Sequence, residues 1–186
     1  MRRKAQIPPP EGFRYQTDVL PIEEEHDLVK HIQELPLKEF EFHGYTGKRR
    51  VLSYGWHYDF EDRSLRPTDE IPHFLQQVRE RAAAFASLTS EDLPHALITE
   101  YSTGTTIGWH RDKGVFDDVV GISLLSTCIF RLRRKAGTTW ERYSQIVEPR
   151  SAYLLRGQAR SEWEHSIPAV ESLRYSITFR SLRQIR

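Results

Sequence analysis

The spacing of apolar and polar positions changes character near residue 96 of this 186-residue chain. Upstream it is mixed. Leu28, Ile32 and Leu35 recur at i, i+4, i+7 between Pro21 and Pro36, a helical stripe with a proline at each end. Phe40 and Phe42, a turn through Gly44 and Gly47, and the run Val51-Leu52-Ser53-Tyr54 predict a hairpin with Lys48, Arg49 and Arg50 near its bend. A second helix is predicted from Pro72, with Leu75, Val78, Ala82 and Phe85 on one face. Downstream, short β-rich runs follow one another at 97–101, 119–125, 128–132, 140–147, 152–155 and 175–179, most of them separated by glycine or proline. Many short strands with few helices between them predict an antiparallel sandwich or barrel, with the two upstream helices packed outside it. One structural domain is expected: an extended arm over 1–20, helices and hairpin over 21–95, and a β core over 96–186.

Composition narrows the class of protein. Hydrophobic residues at 38% and aromatics at 11% are too many for a disordered chain, and no apolar run is long enough to span a membrane. One cysteine, Cys128, excludes an internal disulfide framework. The start, Met1-Arg2-Arg3-Lys4 followed by Pro8-Pro9-Pro10, lacks the apolar stretch of a secretory leader, so a cytoplasmic location is expected, or a nuclear one in a eukaryote. The 27 basic and 26 acidic side chains leave a net +1, so a polyanion would have to be held by a local patch.

The candidate chemistry begins at Trp109-His110-Arg111-Asp112. Side chains two apart on a strand share a side, so His110 and Asp112 can converge. Alone they are half a metal site, and a surface His–Asp pair is the commoner reading of those two residues. His165 lies 55 positions further on, a separation that a rolled β-sandwich can close. Two imidazoles and a carboxylate form a facial triad with open positions, which suits non-haem Fe(II). His26, His31, His43, His57, His73 and His95 read mostly as solvated or structural. The run Arg174 to Arg180 alternates with period two: Tyr175, Ile177 and Phe179 on one face, Arg174, Ser176, Thr178 and Arg180 on the other. If the polar face turns inward, both arginines are buried and each needs an anion, and a small dicarboxylate serves both.

The whole pattern, His-x-Asp, then His, then Arg-x-Ser-x-x-x-Arg, resembles the AlkB family of Fe(II)- and 2-oxoglutarate-dependent dioxygenases over roughly residues 96–183. The run Gly157-Gln-Ala-Arg160-Ser-Glu-Trp163-Glu-His165 is similar to that family as well. The resemblance implies a double-stranded β-helix (jelly-roll, cupin-like) core in an α+β fold. It implies Fe(II) on His110, Asp112 and His165. It implies 2-oxoglutarate on Arg174, Ser176 and Arg180, with Tyr101 and Thr99 beside it, and O2 as the other cosubstrate. Thr99 stands where the family often has asparagine, and Gly114 where some repair members carry an acidic residue. The implied reaction oxidises a substrate C–H bond and forms succinate. On an N-methyl group the product is a hemiaminal, which falls apart to formaldehyde and the free amine.

For the substrate, Lys48 to Tyr58 looks in position like the family's lid. Arg49, Tyr54, Trp56 and Tyr58, with Arg111, are its candidate contacts to an alkylated base in single-stranded DNA, RNA or tRNA, and the protein is expected to act as a monomer. The same segment also reads as an ordinary hairpin whose aromatics pack the core. Arg131, Arg133, Arg134 and Lys135 read either as a phosphate-facing edge or as charged gatekeepers on an exposed strand. A hydroxylase of proteins or small molecules, a zinc hydrolase and a non-catalytic β-barrel module are the alternatives. Replacing His110 by alanine separates the last of these from the enzyme reading. It is expected to abolish Fe(II) binding and 2-oxoglutarate decarboxylation, whereas a binding module would lose neither.

Overall fold

The computed structural model describes residues 7–42, 45–60 and 62–183, the side chains of 41–46 excepted. The basic start at residues 1–4, His43 and the bend at Gly44 lie outside the described residues. In chain order the elements are β1 (Phe13–Gln16), α1 (Ile22–Gln33), β2 (Lys38–Phe42), β3 (Tyr45–Tyr54), β4 (Trp56–Tyr58), β5 (Leu65–Pro67) and α2 (Gln76–Ala86), the last entered through a 3-10 turn (His73–Leu75). There follow β6 (His95–Tyr101), β7 (Ile107–His110), β8 (Phe116–Leu124), β9 (Cys128–Ala136), β10 (Thr139–Val147), β11 (Ala152–Leu155), α3 (Gly157–Ser161), β12 (Glu164–Ile167) and β13 (Arg174–Leu182).

From β6 onward the chain passes back and forth between two antiparallel sheets. One has the order β1-β11-β8-β13-β6-β3-β2 and the other β10-β9-β12-β7. That alternation is a jelly roll, as expected. It also explains the two apolar clusters. Leu28, Ile32, Leu75, Val78, Ala82 and Phe85 of the helical segments meet Ala96, Ile98, Ile177 and Phe179 on the outer face of the seven-stranded sheet. Between the sheets a second cluster gathers Tyr101, Phe130, Leu132, Tyr153, Trp163 and Ile167. The apolar face of β13 therefore meets the helices, and its polar face is turned into the barrel.

One expectation is corrected. Residues 7–20 are not a free arm: Phe13 and Leu20 are buried, and β1 pairs with β11, because alternating Phe13 and Tyr15 supply an apolar side to a sheet edge. The expected hairpin of β2 and β3 is present, and β3 also pairs with β6 from Arg50↔Glu100 to Tyr54↔Ala96, which extends the large sheet. Gly55 then turns the chain into β4 at φ +75°, where a side chain would overlap the carbonyl of Pro94.

Gly121 of β8 shows how tightly the barrel interior is filled: any Cβ there would overlap the Tyr153 ring. Gly121→Ala is expected to lower stability by about 1–3 kcal/mol in urea unfolding. Overlap outweighs the roughly 0.5–1 kcal/mol that alanine gains over glycine in a strand. Adding Tyr153→Leu should recover part of the loss.

Candidate active site

His110 ends β7 and His165 lies in β12, and the two residues are direct partners across those strands. Their rings stand 4.2 Å apart, centroid to centroid. His110 Nδ1 lies 2.9 Å from the Gly108 carbonyl, so it donates there and leaves Nε2 with its lone pair facing the barrel. His165 stacks on Phe130 at 5.2 Å, and Phe130 on Tyr153 at 4.5 Å. Burial, then the neighbouring His110, pushes the His165 imidazole down to about 3. Burial also lowers His110. Both rings are therefore held neutral, the form that binds metals.

Asp112 completes the group. Burial alone would raise its carboxyl, but Arg180, then His165 and His110, holds it well below the usual carboxylate range. Arg180 donates to Oδ1 from Nε at 2.9 Å, and its Nη2 forms an ion pair with the same oxygen at 2.8 Å. Oδ2 faces His165 Nε2 at 3.6 Å. Among the described residues no three His, Cys, Asp or Glu side chains are grouped closely enough to hold a metal ion as they stand, these three included. Arg180 holds Oδ1, so Oδ2 is the oxygen left toward the histidines. His95 stands behind Arg180, buried, its ring tilted at 42° against Phe116 with centroids 4.7 Å apart. Burial, then Arg180, holds it well below the ordinary histidine value, so its neutral Nδ1 can accept from Arg180 Nη1 at 3.4 Å.

Further along the same face of β13, Arg174 is 1% exposed. Its Nε and Nη2 donate to the Ser123 hydroxyl at 3.2 and 3.1 Å, and the guanidinium lies 4.8 Å over the Tyr101 ring. Nη1 is buried and has no partner. A buried cation satisfied mainly by a hydroxyl is expensive, and its planar fork matches a carboxylate. Ser176 Oγ lies 3.5 Å from Tyr101 Oη, and buried Thr99 is its partner across β6. These residues fit a dicarboxylate at one end of the barrel and a divalent ion at the other.

At the mouth, Arg49 stacks 3.8 Å over Phe40 and is close enough to feel Tyr101, Arg180 and Asp112; burial is the main cause of its lowered pKa. Lys113, next after Asp112, lies 5.4 Å over Tyr58 and 4.8 Å over Phe60. Phe60 meets both Tyr58 and Phe40 edge-on. Trp56 is half-buried on β4, two positions before Tyr58.

Two sequence candidates go elsewhere. Tyr54 shares a face of β3 with Arg50, not Arg49, and lies in the helix-side core, because residues of opposite parity cannot face the same way. Arg111 alternates away from His110 and Asp112 and donates to the Ser161 carbonyl at 3.1 Å. Sequence reasoning passed over Ser123, His95, Arg160, Phe60 and Lys113. His95 shares strand parity with Thr99 and Tyr101, a signal that was readable. Arg160 was not readable: it is buried in α3, where Nη2 bonds the carbonyls of Lys113 at 2.6 Å and Phe116 at 2.9 Å, fixing the loop after Asp112.

A family model described as the 2OG-Fe(II) oxygenase superfamily matches residues 12–180. The chain is 28% identical over 164 residues to the "Alkylated DNA repair protein ALKBH8 homolog" of Arabidopsis thaliana, covering 74% of this chain and 47% of that one. It thus spans about half the length of the plant relative. It is 25% identical over 187 residues to the "Uncharacterized protein L905" of Acanthamoeba polyphaga mimivirus, covering 92% and 85%. Among solved structures, OsALKBH1 is similar with a TM-score of 0.66 at 18% identity, over 95% of this chain and 99% of that one. An oxidoreductase of the 2OG-Fe(II) oxygenase family from Burkholderia pseudomallei gives 0.62 at 13% identity, over 94% and 86%.

The chain belongs to the 2OG-Fe(II) oxygenase superfamily, so it is of the 2-oxoglutarate-dependent non-haem iron dioxygenase class and takes Fe(II), 2-oxoglutarate and O2. Within that superfamily its similarity is to proteins named as an ALKBH8 homolog and as OsALKBH1. No helix among the described residues is long and apolar enough to cross a membrane.

The buried histidines set a pH dependence. His165 is neutral when folded and titrates at about 3, against an ordinary 6.5, so the unfolded chain takes up the proton first. Stability from this group is complete above pH 6.5 and is lost as pH falls toward 3, with His95 and His110 acting in the same sense. The melting temperature of the metal-free protein should fall through this window, and less steeply in His165→Gln.

Proposed function

We propose that the protein dealkylates bases of nucleic acid oxidatively. In this reading His110, Asp112 and His165 hold Fe(II). Arg174 and Ser176 receive the distal carboxylate of 2-oxoglutarate, Arg180 lies near its metal-binding end, and Tyr101 and Thr99 line the space between. The bound iron, with 2-oxoglutarate and O2, supplies the oxidation of a C–H bond to C–OH. The chain's own work is to position and shield. Arg180 keeps Asp112 ionised and turned. The Gly108 carbonyl keeps the His110 proton on Nδ1. Phe130 and Tyr153 wall off water behind His165.

The observation that carries the substrate assignment is the mouth itself. Phe40, Tyr58 and Phe60 form an aromatic wall, with Arg49 and Lys113 on its faces, one residue beyond Asp112. A flipped base needs aromatic faces to lie on, and its flanking phosphates need cations. Alkylation at a ring nitrogen leaves many bases cationic, which aromatic faces favour further. The relative from Arabidopsis is named as an alkylated DNA repair protein, which agrees with this reading.

Methylated single-stranded oligonucleotides should release formaldehyde in step with succinate, and unmodified strands should not. Arg49→Ala should raise KM for the oligonucleotide by about tenfold or more and change kcat less. Turnover stimulated only by peptides or small metabolites would overturn the nucleic-acid assignment and leave the enzyme class standing.

A further inference from the structure

The outward face of the four-stranded sheet carries a ladder of arginine and tryptophan that the reading above does not use. Arg133 lies between two indoles, 4.4 Å over Trp109 of β7 and 4.3 Å over Trp140 of β10. Arg131 lies 5.1 Å over Trp109. Strand register lines the group up, since Arg142 stands opposite Arg133, and Trp140 opposite Lys135. Arg131 and Arg133 are tied down from below by Ser166 at 3.0 Å and Glu164 at 2.6 Å. Arg142 and Lys135 are exposed, and Trp140 is 40% exposed. Glu164 is the one carboxylate at the outward positions of these strands, against four cations. A groove of about 360 Å³ opens here, lined by Trp109, Arg131, Arg142 and Ser144 among others.

Along the chain the face adjoins the mouth. Trp109 directly precedes His110 on β7, an edge strand of this sheet, and the same segment runs on through Asp112 to Lys113. The ladder crosses four strands, a width of roughly 14 Å. We infer that this face seats a single-stranded nucleic acid, its bases on the exposed Trp140 and its phosphates on Arg142 and Lys135. Cations interleaved with exposed rings suit a flexible polyanion with π-faces, because base stacking tolerates any sequence. A folded acidic protein would use the charge and not the rings. This inference deepens the proposed function and rests on it: the strand whose base enters the mouth is held on the face next to it.

The test uses the full chain and a lesion-free oligothymidylate of about 15 nucleotides. Binding should quench tryptophan fluorescence and weaken with salt. Trp140→Ala with Arg142→Glu should weaken it about tenfold and flatten its salt dependence, while succinate formation without substrate stays unchanged. Arg142→Glu alone, at an exposed position, should show the same direction without risk to the fold. Equal affinity in variant and parent overturns the inference. So does heparin binding as tightly as the oligonucleotide without quenching, and so does a variant that alters only self-association. The two readings fail separately. Formaldehyde released from methylated strands with KM unchanged in the variant sinks the face alone. Lesion-free binding lost in the variant, with no formaldehyde from any methylated strand, sinks the dealkylation reading alone.

Discussion

Two guanidinium groups on one face of β13 are turned into a closed barrel, and the rest of the site is arranged around that constraint. A charge so placed must meet an opposite charge or a dense set of polar partners. Arg180 meets Asp112, and the pair fixes the carboxylate that His165 and His110 face. Arg174 meets a hydroxyl and a tyrosine ring, and one nitrogen is left over. The difference between the two arginines gives the barrel its polarity: one end is closed on itself and the other is set to receive an anion.

The opposite face of the same strand explains why the charges can stay inside. Tyr175, Ile177 and Phe179 lock β13 against the helices, so the strand cannot rotate to release its arginines to solvent. Other arginines serve as struts. Arg156 grips Asp118 through Nε and Nη2 and also bonds the carbonyl of Ala86 at the end of α2, while Arg81 reaches Glu24 from α2 to α1. A net charge of +1 therefore says little about the surface, because much of the positive charge is engaged within the fold.

The strands with dense β-branched or aromatic runs were legible: β6, β8 to β11 and β13 all lie where the pattern put them, and α1 and α2 follow their proline punctuation. β7 and β12 were not. Each has four residues, and their inward positions carry histidine where an apolar residue would have marked the period. β1 escaped for want of length. At the site, the spacing His-x-Asp and the Arg174 to Arg180 alternation were readable because chemistry and period coincide there. Tyr54 was misassigned against a parity the sequence already contained, since 49 and 54 cannot share a strand face. Ser123, Phe60, Lys113 and Arg160 owe their places to tertiary contacts between segments far apart in sequence, which no local period encodes.

The unpartnered nitrogen of Arg174 has a consequence for how long such a molecule lasts. A dicarboxylate seated on it binds only the folded chain, and a ligand of that kind raises the folding equilibrium in proportion to its free concentration over its dissociation constant. In the proposed reading the cosubstrate is then also a chaperone in the thermodynamic sense. A cell poor in it would carry not merely an idle catalyst but a shorter-lived one, with abundance and activity falling together under the same metabolic signal.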